Sequence, residues 1–165
     1  MSVGVVFDYA EEGWPSMDLA AELLVDGLRA HAPGYAPAAL RPRMPRPFGR
    51  IAGGGRMPRN ADRLVGRYVA YPRWLRRHGG GHALYHVADH SYAHLVHALP
   101  AARTVVTCHD LDAFRSLLEP ARDPRPLWFR RMMGRVLAGL TRAAHVVCDS
   151  DAVRDELLTH RLLPP

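Results

Sequence analysis

Lysine is absent from this 165-residue chain, and all 22 of its basic residues are arginine. Abundant alanine, glycine and proline accompany that bias, which points to a GC-rich coding sequence more than to a chemical demand. Cysteine occurs only at Cys108 and Cys148, which gives neither a disulfide framework nor metal-site spacing. Both lie close to the ends of apolar runs, where buried thiols on adjacent strands are expected. No apolar run approaches the ~20 residues that cross a bilayer, so a spanning helix is excluded. Met1 to Asp8 offers no basic leader and too short an apolar core for a signal peptide, so the expected location is the cytoplasm. No GxGxxG or Walker loop follows an apolar run. Gly53-Gly54-Gly55 sits in a basic stretch, away from any strand-to-helix turn, and no cofactor is expected.

What is present suits one globular domain, since a chain of about 150 residues buries about 70% of its unfolded surface. The net charge of +6 is uneven: eleven arginines and one acid, Asp62, lie between Arg41 and Arg77. That segment could dock phosphates, anionic headgroups or a polyanion. It interleaves few aromatics, only Phe48 before Tyr68, so no nucleic-acid partner is expected.

Val3 to Phe7 reads as a buried first strand ending at Asp8, followed by a loop from Tyr9 to Pro15. Ser16 is placed to cap a helix whose inward face is Ala20, Leu23, Leu24, Gly27, Leu28 and His31. A weak strand is expected near Pro37 to Leu40, then a mobile Arg/Pro/Gly-rich loop over about 41–59. Asn60 should cap the next helix, with Leu64, Val65, Tyr68 and Leu75 facing inward and Pro72 kinking or ending it. Beyond it the spacing predicts strand Ala83 to Val87, helix Ser91 to Leu99, strand Arg103 to Cys108, helix Arg125 to Arg142, strand His145 to Cys148 and a helix capped by Ser150. Strands alternating with helices give an α/β fold, a Rossmann-like parallel sheet with helices on both faces.

Three apolar runs end abruptly in small polar or ionisable residues, at Asp89-His90, His109-Asp110 and Asp149-Ser150. Ligands of open parallel sheets bind beyond the carboxyl ends of the strands, so these endings outline one site. An imidazole at His109 can donate to a substrate hydroxyl, and Asp110 can hold it or bind sugar hydroxyls. The plainer reading of Ser150 is a helix cap, and that of His109 a satisfied strand end. Gly13 offers close backbone approach to an acceptor, beside Trp14; an ordinary turn with Trp14 stapled on the core is the competing reading. His78, His82, His86, His90 and His94 recur every four residues with His97 beyond, but the glycines and a strand break the ladder, and no metal is assigned.

The ordered segments ALYHVADHSYAHLVHALP, RTVVTCHDLDAFR and RRMMGRVLAGLTRAAHVVCDSDAVRDEL closely resemble the amino-terminal domain of family 4 retaining glycosyltransferases of the GT-B fold. The resemblance runs from Val3 to nearly Pro165 and is loose between Arg41 and Arg77. It implies an acceptor-binding half, with the nucleotide-sugar donor held by a carboxyl-terminal domain that this chain would lack, so that the chain alone is inactive. His109, with Asp110, is similar to the residue that reaches the transferred sugar. Gly13, with one glycine where the family often has two, implies the cleft floor, and Asp89, His90 and Ser150 complete the acceptor side. The alternative is a non-enzymatic module whose Arg41 to Arg77 surface holds an anionic membrane or polyanion, the former at the inner face of the membrane.

Overall fold

Short apolar strands with no polar alternation can only be stable if both faces of their sheet are covered. In the computed structural model, which describes residues 1–51 and 55–163, five such strands form one all-parallel sheet. They are β1 (Ser2–Val6), β2 (Ala36–Leu40), β3 (Leu84–Val87), β4 (Thr104–Cys108) and β5 (His145–Cys148), in the order β2-β1-β3-β4-β5. The architecture is the expected Rossmann-like α/β one. Cys108 and Cys148 are register partners on β4 and β5 and both are free thiols; Cys108 is buried as expected, whereas Cys148, on the edge strand, is only partly buried.

Alternate residues of β1 serve two cores. Val3, Val5 and Phe7 pack on α1 (Pro15–His31) through Ala21 and Val25. Val6 joins the larger core on the opposite face, built with Tyr71, Leu75, Tyr92, Val136 and Leu140. The buried face of α1 differs from the expected one: Ala21, Leu24, Val25 and Leu28 turn inward and Leu23 is exposed. Both stripes share Leu24 and Leu28, and the small Ala21 lets the helix sit close to the strands. Ser16 is not the cap either; Trp14 holds that position and Pro15 starts the helix, where its missing N–H costs nothing.

The segment expected as a loop over about 41–59 contains helix α2 (Pro47–Ile51) and the start of α3 (Arg56–Val65), while Gly53 and Gly54 lie outside the described residues. Asn60 is inside α3 rather than its cap. Pro72 does not end the helical run. A π-helical turn, Gly66–Ala70, leads directly into α4 (Tyr71–His78), with Pro72 at its beginning. The wider turn sits beside the proline, whose ring cannot donate to the preceding turn. Tyr71 is fully buried, and its hydroxyl lies 2.6 Å from the Phe7 carbonyl and 2.7 Å from that of Leu40, tying the helix to the ends of β1 and β2.

The segment after β3 is a nine-residue 3-10 helix, His90–Ala98, capped by Asp89, rather than an α-helix. After the single helical turn α5 (Arg115–Leu118), helix α6 (Leu127–Arg142) packs against the 3-10 helix, and its inward stripe of Met133, Val136 and Leu140 follows the predicted spacing. A Cβ built on Gly139 would fall 2.0 Å from the Ala93 carbonyl oxygen, so only glycine permits this backbone-to-backbone approach. The chain then passes through β5 to α7 (Asp151–Thr159).

Gly139→Ala should therefore destabilise the protein by about 3 kcal/mol in urea unfolding, because the clash is with backbone that cannot step aside. Gly134→Ala on the same helix, where an added Cβ meets nothing within 4 Å, should instead gain up to about 1 kcal/mol. Equal effects of the two substitutions would contradict the close approach.

Candidate functional site

The carboxyl ends of β3, β4 and β5 bring the predicted polar endings together. His109 Nε2 donates to the Ala88 carbonyl at 3.0 Å, and Nδ1 lies 3.0 Å from Asp149 Oδ2. The ring is thus held in place from both of its nitrogens. The His109 amide donates in turn to His90 Nδ1 at 3.3 Å. His90 is buried, 3.3 Å from Asp89 and 3.5 Å from Asp110, with its ring edge-on to Phe114. Asp110 is half exposed, and its Oδ1 accepts the Asp112 amide at 2.9 Å. Two imidazoles thus link three strand ends while the Asp110 and Asp149 carboxylates face solvent. An open hollow of about 520 Å³ lies beside Cys148, Asp149, Ser150 and Arg154.

Beneath this outer row lies a buried layer in which Asp8, which ends β1, faces Asp89, which ends the neighbouring β3. Burial, reinforced by the Asp89 charge and a hydrogen bond to it, pushes the Asp8 carboxyl up to about 9. Burial also opposes ionisation of Asp89, but His90, the Ser91 hydroxyl and amide, and Asp8 together hold it below the usual carboxylate range. The pair thus shares one proton, carried by Asp8. Asp8 Oδ2 has no fixed hydrogen-bond donor, so an ionised Asp8 would be a bare buried charge.

Next to this pair, Arg67 donates through Nε to Glu12 Oε1 at 2.7 Å and through Nη2 to Oε2. Its guanidinium lies 4.3 Å from the centre of the Tyr92 ring. The Glu12 side chain has no exposed surface. Burial works against the Arg67 charge, yet the Glu12 contact outweighs it and raises the guanidinium above its ordinary value. His94, pulled down to about 4 by burial, donates from Nε2 to the Arg67 carbonyl at 2.8 Å.

The other predicted residues are placed separately. Ser150 accepts the Val153 amide at 3.3 Å and caps α7. Gly13 adopts φ +70° and closes the Ala10–Glu12 turn, a left-handed position that suits glycine. Trp14 is half exposed rather than stapled on the core. Neither makes a hydrogen bond to the histidine cluster. The histidine ladder disperses: His78 stacks on Trp74, His82 meets Ser2, His86 meets Thr107 and His97 meets the Arg135 carbonyl. Among the described residues no three His, Cys, Asp or Glu side chains converge as metal ligands would. Asp8, Glu12 and Arg67 were not foreseen as site residues. Asp8 carried the same signal as the other endings, an apolar run stopping at a carboxylate; Arg67 was one arginine among eleven.

A family model described as Glycosyltransferase Family 4 matches residues 17–165. No curated protein and no solved structure matches the chain.

The Asp8–Asp89 pair has a consequence for stability. The folded chain keeps the Asp8 proton until about pH 9, whereas the unfolded chain releases it near 3.8. The associated stability is complete below the lower value and is lost as pH rises through the upper one, by at most about 1.4 kcal/mol per pH unit. Asp8→Asn keeps a donor toward Asp89 and removes the titration. Urea unfolding between pH 5 and 8 should show wild-type stability falling relative to the variant, with titrations common to both cancelling. A constant difference would mean that Asp8 is ionised in the fold.

Proposed function

Because the chain belongs to glycosyltransferase family 4, we propose that it forms the acceptor side of a retaining GT-B enzyme, completed by a donor-binding domain that holds the nucleotide sugar. The observation that carries this reading is the convergence of His90, His109, Asp110 and Asp149 at three adjacent strand ends within the matched region. Ligands of open parallel sheets bind at such ends. Exposed carboxylates at Asp110, Asp149 and Asp151 suit the hydroxyls of an acceptor or of the transferred sugar. The same charges repel a nucleotide diphosphate, which favours a donor cradle on a different domain.

In this reading the acceptor hydroxyl is oriented by Asp110, with Gly13, Trp14, Asp89, His90 and Ser150 as supporting acceptor-side positions. For His109 to reach an oxygen of the transferred sugar its ring turns Nε2 away from the carbonyl of the buried Ala88. Asp149 holds the other nitrogen and so fixes the ring plane. Charge develops chiefly on the departing diphosphate, so most transition-state stabilisation comes from the donor side and His109 assists across the cleft. The sugar and acceptor then meet between two walls, one supplied here. Among the described residues no helix is long and apolar enough to cross a membrane.

Residues 1–165 alone should neither bind UDP-glucose or GDP-mannose saturably in calorimetry nor release nucleotide from them; saturable binding with turnover would defeat the division of labour. In the assembled enzyme His109→Ala should lower kcat about a hundredfold while the nucleotide-sugar KM stays within about threefold. An unchanged kcat would remove His109 from the reaction.

A further inference from the structure

The basic segment forms a second feature at the carboxyl edge of the sheet, beyond the ends of β2 and β1 and away from His109. A cleft of about 930 Å³ opens there between the chain that follows β2 and helix α3. Arg43, Arg46, Arg59 and Arg63 line it, together with Glu11 and Asp62. The two carboxylates are occupied in building its walls. Glu11 accepts the Met44 amide at 3.2 Å, and the buried Asp62 accepts the amides of Phe48 and Gly49, each at 2.9 Å. A Cβ on Gly49 would lie 2.9 Å from Asp62 Oδ2, so this turn is fitted closely to its carboxylate.

The guanidiniums are not similarly occupied. Arg63 reaches Glu12 at 3.3 Å, but Arg43, Arg46 and Arg59 pair with no carboxylate among the described residues. Four guanidiniums against two carboxylates leave a net charge of +2 in the lining. Like charges held around one hollow repel each other unless an anion sits between them. A phosphomonoester brings a charge of about −2 and oxygens that accept in the forked geometry that arginine offers.

We propose that this cleft is the subsite for a phosphomonoester carried by the acceptor, an assignment that rests on the acceptor-side reading above. The strand order places β3 between the β1 side of the cleft and the end of β4, so a bound acceptor anchors its phosphate at one side of the carboxyl edge and extends its hydroxyl toward His109. The phosphate sets the register of the acceptor, and the carboxylates around His109 receive its uncharged part. The anionic anchor and the acidic reaction site thus sort one molecule end to end.

The test uses the whole chain at low ionic strength, with inorganic phosphate and glucose 6-phosphate as probes, and glucose as the uncharged comparison. Thermal unfolding should shift upward saturably with either phosphate and not with glucose, because a ligand that binds only the folded chain stabilises it. Arg43→Gln with Arg59→Gln, both exposed positions, should not lower the ligand-free midpoint, since they relieve repulsion in the empty cleft, and should weaken phosphate binding at least about tenfold, the loss expected for two charge-assisted contacts. Arg131→Gln with Arg142→Gln, on the exposed face of α6, removes the same charge elsewhere and should leave the affinity within about twofold. Vesicles of phosphatidylcholine with and without phosphatidic acid separate the sources of the phosphate. Binding to the phosphatidic acid vesicles alone, lost in the Arg43/Arg59 variant, assigns the subsite to a lipid acceptor; saturation by the soluble probes assigns it to a soluble one. Absence of saturable binding to every phosphate probe, or equal loss in the α6 variant, overturns the subsite. No nucleotide sugar enters the assay, so that result leaves the acceptor-side reading standing on its own titration.

Discussion

Arg67 holds the carboxyl edge of β1 together by meeting three demands at once: it neutralises the buried Glu12, covers the Tyr92 ring and carries the carbonyl to which His94 donates. A buried ion pair repays its desolvation only when geometry and further hydrogen bonds satisfy what the charges leave open. Here the Nε and Nη2 contacts form the fork, and Arg63 adds a second cation to Glu12 at 3.3 Å. Glu12 belongs to the turn after β1 and Arg67 to the π-helical turn, so the pair closes the helical run from α3 to α4 over the strand end. Tyr9 strengthens the closure by donating from its hydroxyl to the Gly66 carbonyl at 3.2 Å. Asp8 lies beside these contacts, and burial together with the Asp89 charge retains its proton against the opposing charge of Arg67.

The same closure separates two layers of polar chemistry at one edge of the sheet. The inner layer, Asp8 with Asp89, is sealed from solvent and has a structural role. The outer layer, His109 with Asp110 and Asp149, is tied into place but remains accessible. His90 belongs to both, since its ring contacts Asp89 on one side and Asp110 on the other. A change in the protonation of the buried pair would therefore be felt by the ring that supports the His109 backbone. On the other side of β1 the basic cleft has the opposite sign, so the edge as a whole is polarised from arginine to carboxylate.

Legibility in the sequence followed the range of the interactions involved. The strands and α6 were readable because their apolar residues recur with the period of the backbone, and the outer cluster because strand endings of a parallel sheet share one edge. The α1 face was misread because two overlapping stripes fit its sequence, and only the strands opposite select Ala21 and Val25. Ser16 and Asn60 are good capping residues that the helices did not use, since Pro15 and the chain before Asn60 begin them earlier. The 3-10 form of His90–Ala98 left no mark in the apolar spacing; Asp89 caps its start and α6 approaches its backbone at Gly139.

By itself the sequence determined the α/β class, most of the element order, the family and the polar strand endings that flank His109, because all of these rest on local periodicity and on motifs within short segments. Tertiary structure alone decided that Asp8 and Asp89 share a proton, that Glu12 finds Arg67 fifty-five residues away, and that four arginines of a crowded basic segment surround one cleft. The charge state of a carboxylate and the partner of a guanidinium depend on burial and on neighbours brought together from distant segments. Neither quantity is encoded at the residue that carries it.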